Sequence, residues 1–210
     1  MTTRRTLLAT GLAATLIAAG PSLAGDEGLY EDVFDPQSSF IRVLAPDAGF
    51  ASIDGTRVGD FTGGLSAYVN VMPGAIEVSL PGTATTVQAA PATHYTVVLA
   101  ADGSTQVLTD ALTLSPAKSD VSLYNLSSSA SVDLFVPAAR AVALAAVPAI
   151  GAKSVALKAP LTLDFDMRVG EQTLASVSAV ELRRRAGVSF VLTGDAGGFS
   201  AVAVPNSYKR

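Results

Sequence analysis

The sequence predicts an all-β protein: two small β-sandwich domains arising from an internal repeat, after a cleaved signal peptide. Three observations carry this expectation. Short runs rich in β-branched residues are separated by turn signals about every 8–12 residues, the rhythm of a sandwich or barrel. Two runs alternate strictly: Ile76, Val78 and Leu80 with Glu77 and Ser79, and Leu161, Leu163, Phe165 and Met167 with Thr162, Asp164 and Asp166. That is the period of a half-buried strand. Finally, Phe40-Ile41-Arg42-Val43-Leu44-Ala45 is answered by Asp120-Val121-Ser122-Leu123-Tyr124-Asn125. In the same order, His94-Tyr95-Thr96-Val97-Val98-Leu99 is answered by Gly187-Val188-Ser189-Phe190-Val191-Leu192. A repeat of about 80–95 residues is too long for a solenoid and suits a duplicated domain.

The first 24 residues read as the signal peptide. Arg4-Arg5 supplies the positive start, residues 6–19 are apolar or small, and Ser22-Leu23-Ala24 offers a cleavage site. Export by the general or the twin-arginine route, or retention as an uncleaved anchor, are the alternatives. Residues 25–37 form an acidic N-terminal arm with Tyr30 and Phe34 as its large apolar groups. Domain 1 is expected over 38–110, with strands at 40–44, 51–53, 67–71, 75–80, 85–88, 94–100 and 105–108. Asp54-Gly55, Pro73-Gly74, Pro81-Gly82 and Asp102-Gly103 turn the chain between them. Residues 111–119 read as a linker, short enough to keep the domains close. Domain 2 is expected over 120–206, with strands at 121–126, 132–136, 154–157, 161–167, 173–182, 188–192 and 199–204. The Ala-rich stretch 138–147, bounded by Pro137 and Pro148, reads as an inter-strand loop or short helix. Gly187 and Gly197-Gly198 are read as turn positions that need a positive φ.

Cysteine is absent, so neither domain has disulfide support and thiolate chemistry is excluded. Charge is uneven. Residues 25–117 carry eleven acids and two bases, net −9; residues 118–210 carry seven acids and ten bases, net +3. Only the second half suits a negative partner. Arg183-Arg184-Arg185 is the densest positive feature and the candidate partner-binding segment, its alternative being a solvated strand end. Nucleic acid is not expected, since no basic face is interleaved with aromatics.

No catalytic set is expected. His94 is the sole histidine. A nucleophilic hydrolase needs a histidine base beside its serine, and neither a Gly-x-Ser-x-Gly elbow nor a Gly-Asp-Ser block accompanies it; Gly194-Asp195-Ala196 lacks the nucleophile. His94 is therefore expected at a strand edge or on the surface. One histidine without cysteine leaves little for zinc or copper. Asp164 and Asp166 share a strand face, which suits weak calcium binding or plain solvation. No metal and no cofactor are expected. The chain has no tryptophan to offer sugars a platform, and Tyr95 and Tyr124 fall within apolar strands as core or rim residues.

Four blocks resemble a known family. Gly28-Leu29-Tyr30 with Pro36 and Ser38-Ser39-Phe40-Ile41-Arg42-Val43 resembles the mature start of the alginate biosynthesis protein AlgF family. Asp120-Val121-Ser122-Leu123-Tyr124-Asn125-Leu126-Ser127 resembles its mid-chain block. His94 to Leu99 and Val188-Ser189-Phe190-Val191-Leu192-Thr193-Gly194 resemble the closing strands of its two domains. Ala45-Pro46 departs from the pattern, where an Asn-containing turn is expected. The resemblance implies a periplasmic accessory protein for O-acetylation of the exopolysaccharide alginate, without an active site of its own. Its implied partners are a membrane-bound O-acyltransferase and periplasmic alginate O-acetyltransferases, with alginate itself left open. Three roles follow: a non-catalytic adaptor between acetyltransferase components, a polysaccharide-binding module, or an acetyl carrier.

Overall fold

The computed structural model describes residues 34–209. The expected signal peptide and most of the N-terminal arm, including Tyr30, lie outside the described residues. The described chain is β throughout, apart from one 3-10 turn at Pro137–Ala139.

The first eight strands are β1 (Ser39–Leu44), β2 (Phe50–Ile53), β3 (Thr56–Gly59), β4 (Tyr68–Val71), β5 (Gly74–Leu80), β6 (Thr83–Ala89), β7 (His94–Leu99) and β8 (Thr105–Asp110). The next eight are β9 (Lys118–Asn125), β10 (Ser131–Val136), β11 (Ala141–Pro148), β12 (Gly151–Lys158), β13 (Leu161–Val169), β14 (Gln172–Leu182), β15 (Ala186–Asp195) and β16 (Gly198–Pro205). A short β17 (Tyr208–Lys209) ends the described chain. In the first eight, one sheet has the order β4-β1-β7-β8 and the other β3-β2-β5-β6. In the second eight the orders are β12-β9-β15-β16 and β11-β10-β13-β14. Adding eight to every label turns the first pair of sheets into the second, so the repeat extends to the whole topology. It also holds in register. Phe40 lies opposite His94 across the parallel pair β1/β7, as Asp120 lies opposite Gly187 across β9/β15.

Each pair of sheets closes over its own core. Ile41, Val43, Ile53, Val78, Val87 and Val97 fill the first; Leu123, Leu134, Phe165, Met167, Leu182 and Phe190 fill the second. The alternating runs at 76–80 and 161–167 are β5 and β13, each facing its core with one side. A third cluster joins the backs of the two sheets that hold the parallel pairs. Leu44, Leu65 and Val98 meet Tyr124, Val191 and Val204 there, all buried.

Three local expectations are corrected. The Ala-rich stretch is a strand: β11 pairs with β10 and buries Leu144 and Val147. Burial and pairing override alanine's helix preference, and Ala146 absorbs an irregularity at φ +51° with its N–H on Asp133 Oδ1 at 2.7 Å. Gly187 has no positive φ and lies within β15. It is small because a Cβ there would come within 2.3 Å of Asn206 Nδ2. Gly197 and Gly198 likewise have no positive φ. Strand β17, for which the sequence gives no signal, returns to the first sandwich and pairs in parallel with the edge of β4.

Candidate functional site

Arg42 stands in the middle of an apolar strand and is only 1% exposed. Alternation along β1 sends Ile41 and Val43 into the first core, so Arg42 points the other way, toward the second sandwich. Its Nε donates to Thr96 Oγ1 at 3.0 Å, and its Nη2 to Tyr124 OH at 2.7 Å and Ser189 Oγ at 2.8 Å. Its Nη1 donates to Asn206 Oδ1 at 3.0 Å. Three of these four acceptors come from the second half of the chain. The guanidinium also lies over the Tyr68 ring, 4.3 Å from its centroid.

The compensating charge is Asp110 at the end of β8. Its Oδ2 accepts from Thr96 Oγ1 at 2.6 Å and Tyr68 OH at 2.8 Å, and its Oδ1 from Tyr124 OH. Arg42 and Asp110 thus form a buried ion pair linked through Thr96 and Tyr124. Burying charges is tolerable when their lone pairs and protons find partners, as here. Burial alone would lower the Arg42 pKa, but Tyr124, Tyr68 and Asp110 more than reverse this and raise it. Burial raises the pKa of Tyr68 and Tyr124. The cluster therefore holds a fixed cation and two phenols, which suits holding the sandwiches together rather than moving protons.

His94 is neither at the surface nor free. It is 4% exposed, stacked on Phe40 at 4.6 Å and edge-on to Tyr68 and Tyr208. Its Nε2 lies 3.2 Å from Tyr208 OH. The expectation of an exposed histidine fails because β7 is an interior strand between β1 and β8. Burial lowers its pKa to about 4. An unfolded chain protonates this imidazole near pH 6.5. Between these values unfolding takes up a proton, so stability should fall as pH drops from 6.5 to 4 and level off below. The loss should reach about 3 kcal/mol. Urea unfolding at pH 7 and 4.5 checks this: the His94→Gln variant should lose that part of the pH slope, and an unchanged slope would contradict it.

The three expected partner-binding residues sit on the exposed turn between β14 and β15. Arg183 pairs with Glu181 at 2.6 Å, both well exposed. Arg184 Nε donates to the Ala159 carbonyl at 3.0 Å, and Arg185 takes φ +57°. They do not converge on one another as a single site. Asp164 and Asp166 are engaged separately, Asp164 with the Ala179 N–H and Asp166 with Arg168 and Ser176. Among the described residues no group of three potential metal ligands forms. At the far ends of β7 and β15, loops of both sandwiches leave an open groove of about 860 Å³ lined by Pro46, Pro81, Leu99, Leu126, Ile150 and Thr193. Asp47 is its one ionisable side chain, so it offers contact rather than acid–base chemistry.

Sequence reading missed Arg42, Asp110, Ser189 and Asn206 as a site. One signal was present: a lone arginine inside the apolar run 40–45. Nothing local pointed to its partners.

The architecture defines a class: a tandem β-sandwich joined by a buried polar lock. No family model and no curated protein matches the chain. Among solved structures it is similar to the C-terminal domain of AlgF from P. aeruginosa, with 21% identity over 43% of this chain and 99% of that one and a TM-score of 0.38. It is also similar to CBMbc, a family CBM26 module of Amy13K from Eubacterium rectale, solved with maltoheptaose. There the identity is 10% over 82% of this chain and 100% of that one, with a TM-score of 0.31. Likenesses this distant transfer neither ligand nor activity, and the function below rests on the chain's own residues.

Proposed function

We propose that this protein is a non-catalytic periplasmic adaptor in the O-acetylation of alginate, linking acetyltransferase components. One observation carries the reading. Four blocks resemble the AlgF family, and each places one side chain on the same buried network: Arg42, Thr96, Tyr124 and Ser189. Generic β-strand sequence has no reason to converge in this way. The resemblance therefore concerns a whole two-sandwich architecture rather than four unrelated strands.

The chemistry of the site supports the non-catalytic part. The lone imidazole is buried against aromatic rings, and the hydroxyl it meets belongs to Tyr208. The Ser189 hydroxyl donates to Asn206 and accepts from Arg42, with no base beside it. Both oxygens of Asp110 are occupied by hydroxyl donors.

A strain lacking the protein should make alginate without acetyl esters. Wild type and His94→Gln should both restore them. Normal acetylation in the deletion strain would overturn the function. Loss of acetylation by a normally accumulated His94→Gln variant would overturn its non-catalytic character.

A further inference from the structure

Topology brings together cations that the sequence keeps far apart. In β9 and β12, Lys118 and Lys158 are directly opposed partners at the last rung of the ladder. Arg185 donates its backbone N–H to the Lys118 carbonyl at 3.2 Å, one residue before β15 joins β9 in parallel register at Ala186↔Ser119. Lys158, Lys118 and Arg185 therefore stand level across three neighbouring strands. Val121, Leu123, Val155 and Leu157 turn into the second core, so alternation puts Lys118 and Lys158 together on the opposite face. Adjacent strands lie ~4.8 Å apart, so the row spans ~10 Å with one cation per strand. All three side chains are exposed, and Arg183 and Arg184 follow on the adjoining turn.

Nothing in the described chain neutralises this row. Glu181 is taken by Arg183. Asp120, at the same end, spends its two oxygens on the Thr113 and Leu114 N–H groups at 3.0 and 2.9 Å. Among the described residues neither Lys118, Lys158 nor Arg185 forms an ion pair. Like charges directly opposed across a ladder are destabilising. Here they occur in a chain whose residues 25–210 are net −6, where an acid would have been the ordinary neighbour. Local rules broken without compensation mark functional positions. Beside the row, a groove of about 500 Å³ is lined by Arg185, Leu114, Pro116, Asn206 and Tyr208. Leu114 is 59% and Tyr208 37% exposed there. Apolar surface with a few polar groups suits a sugar ring.

We infer that the strand-end row Lys158–Lys118–Arg185 binds an extended polycarboxylate, a polyuronate chain, with a sugar unit in the adjoining groove. The identity of the polymer rests on the function proposed above; the anion-binding row does not. A chain bearing one carboxylate per sugar meets all three cations at once. The row lies in the +3 half of the molecule, so the polymer need not cross the −9 half.

The test is a calorimetric titration of the purified protein with short oligouronates, a neutral glucan of equal length and a polyglutamate peptide, at low and high salt. The wild type should bind the oligouronate at low salt, lose it at high salt and ignore the glucan. The variant Lys118→Gln/Lys158→Gln/Arg185→Gln should bind about tenfold more weakly with a flatter salt dependence. Its thermal midpoint should be unchanged or higher, since the like-charge opposition is relieved. No binding by the folded wild type, equal binding by the triple variant, or equal binding of the glucan would overturn the inference. Tighter binding of polyglutamate than of oligouronate would also overturn it and assign the row to an acidic protein surface. A deletion strain that acetylates normally, with oligouronate binding intact, would remove the adaptor function and leave the row standing.

Discussion

Replacing Arg42 with Met should cost about 3–5 kcal/mol of stability, enough to remove a third or more of the 5–15 kcal/mol typical of a folded domain. The substitution removes the one cation of the buried network and leaves Asp110 in the same enclosed site. Thr96, Tyr124, Ser189 and Asn206 each lose a donor. The loss falls on both halves, because Arg42 and Thr96 belong to the first sandwich and the other three acceptors to the second. The effect belongs to the pair rather than to arginine as such. Breaking a buried ion pair is worse than removing both charges. The double variant Arg42→Met/Asp110→Asn should therefore recover at least about 1 kcal/mol relative to Arg42→Met alone, a coupling that a double-mutant cycle resolves. Urea midpoints of the four proteins check this. Additive losses would mean that the two charges do not sense one another across Thr96 and Tyr124.

The elements that pair locally were legible in the sequence, and those that meet across the two halves were not. The strands β1, β5, β7, β9, β13 and β15 follow from alternation and turn residues, and the repeat follows from order and spacing. The β12 strand was seen only over its middle because Lys153 and Lys158 dilute its apolar signal. Strand β11 was misread because alanine reports weakly on the sheet, whereas its pairing partner β10 decides its state. Arg42 could be seen as an odd residue in an apolar run, but Asn206 lies 164 residues away and Ser189 147. No local pattern encodes a contact set by how two sandwiches dock. The same holds for the cationic row. Arg183-Arg184-Arg185 is conspicuous as a run, yet register joins Arg185 to Lys118 and Lys158, while Arg183 is paired off.

Removing the last five residues, 206–210, should be nearly as damaging as losing Arg42, although a chain terminus is ordinarily dispensable. The tail leaves the second sandwich and closes on the first. Asn206 holds the Gly187 carbonyl through its N–H at 2.8 Å, while its side-chain oxygen accepts from both Arg42 and Ser189. Ser207 accepts from the Tyr68 N–H at 2.8 Å. Tyr208 stacks on Tyr68 at 5.2 Å and meets Phe40 edge-on at 5.3 Å. A hydrogen bond to a charged group is worth about 1.5–3 kcal/mol, and each aromatic contact adds about 0.5–1.5 kcal/mol. The truncated protein should thus lose about 3 kcal/mol or more, with a clear fall in the thermal midpoint. It should also lose solubility in a concentration-dependent way. Without β17, the edge of β4 presents unpaired N–H and C=O groups beside exposed Met72, and an open edge is a template for another chain. The point variant Asn206→Leu separates the two effects: it should cost stability but keep β17 on the edge, so it should not associate. If the truncated protein melts within a degree or two of wild type and stays monomeric, the tail is a passive appendage, and the sandwiches are held together by Leu44, Val98, Tyr124 and Val191 without it.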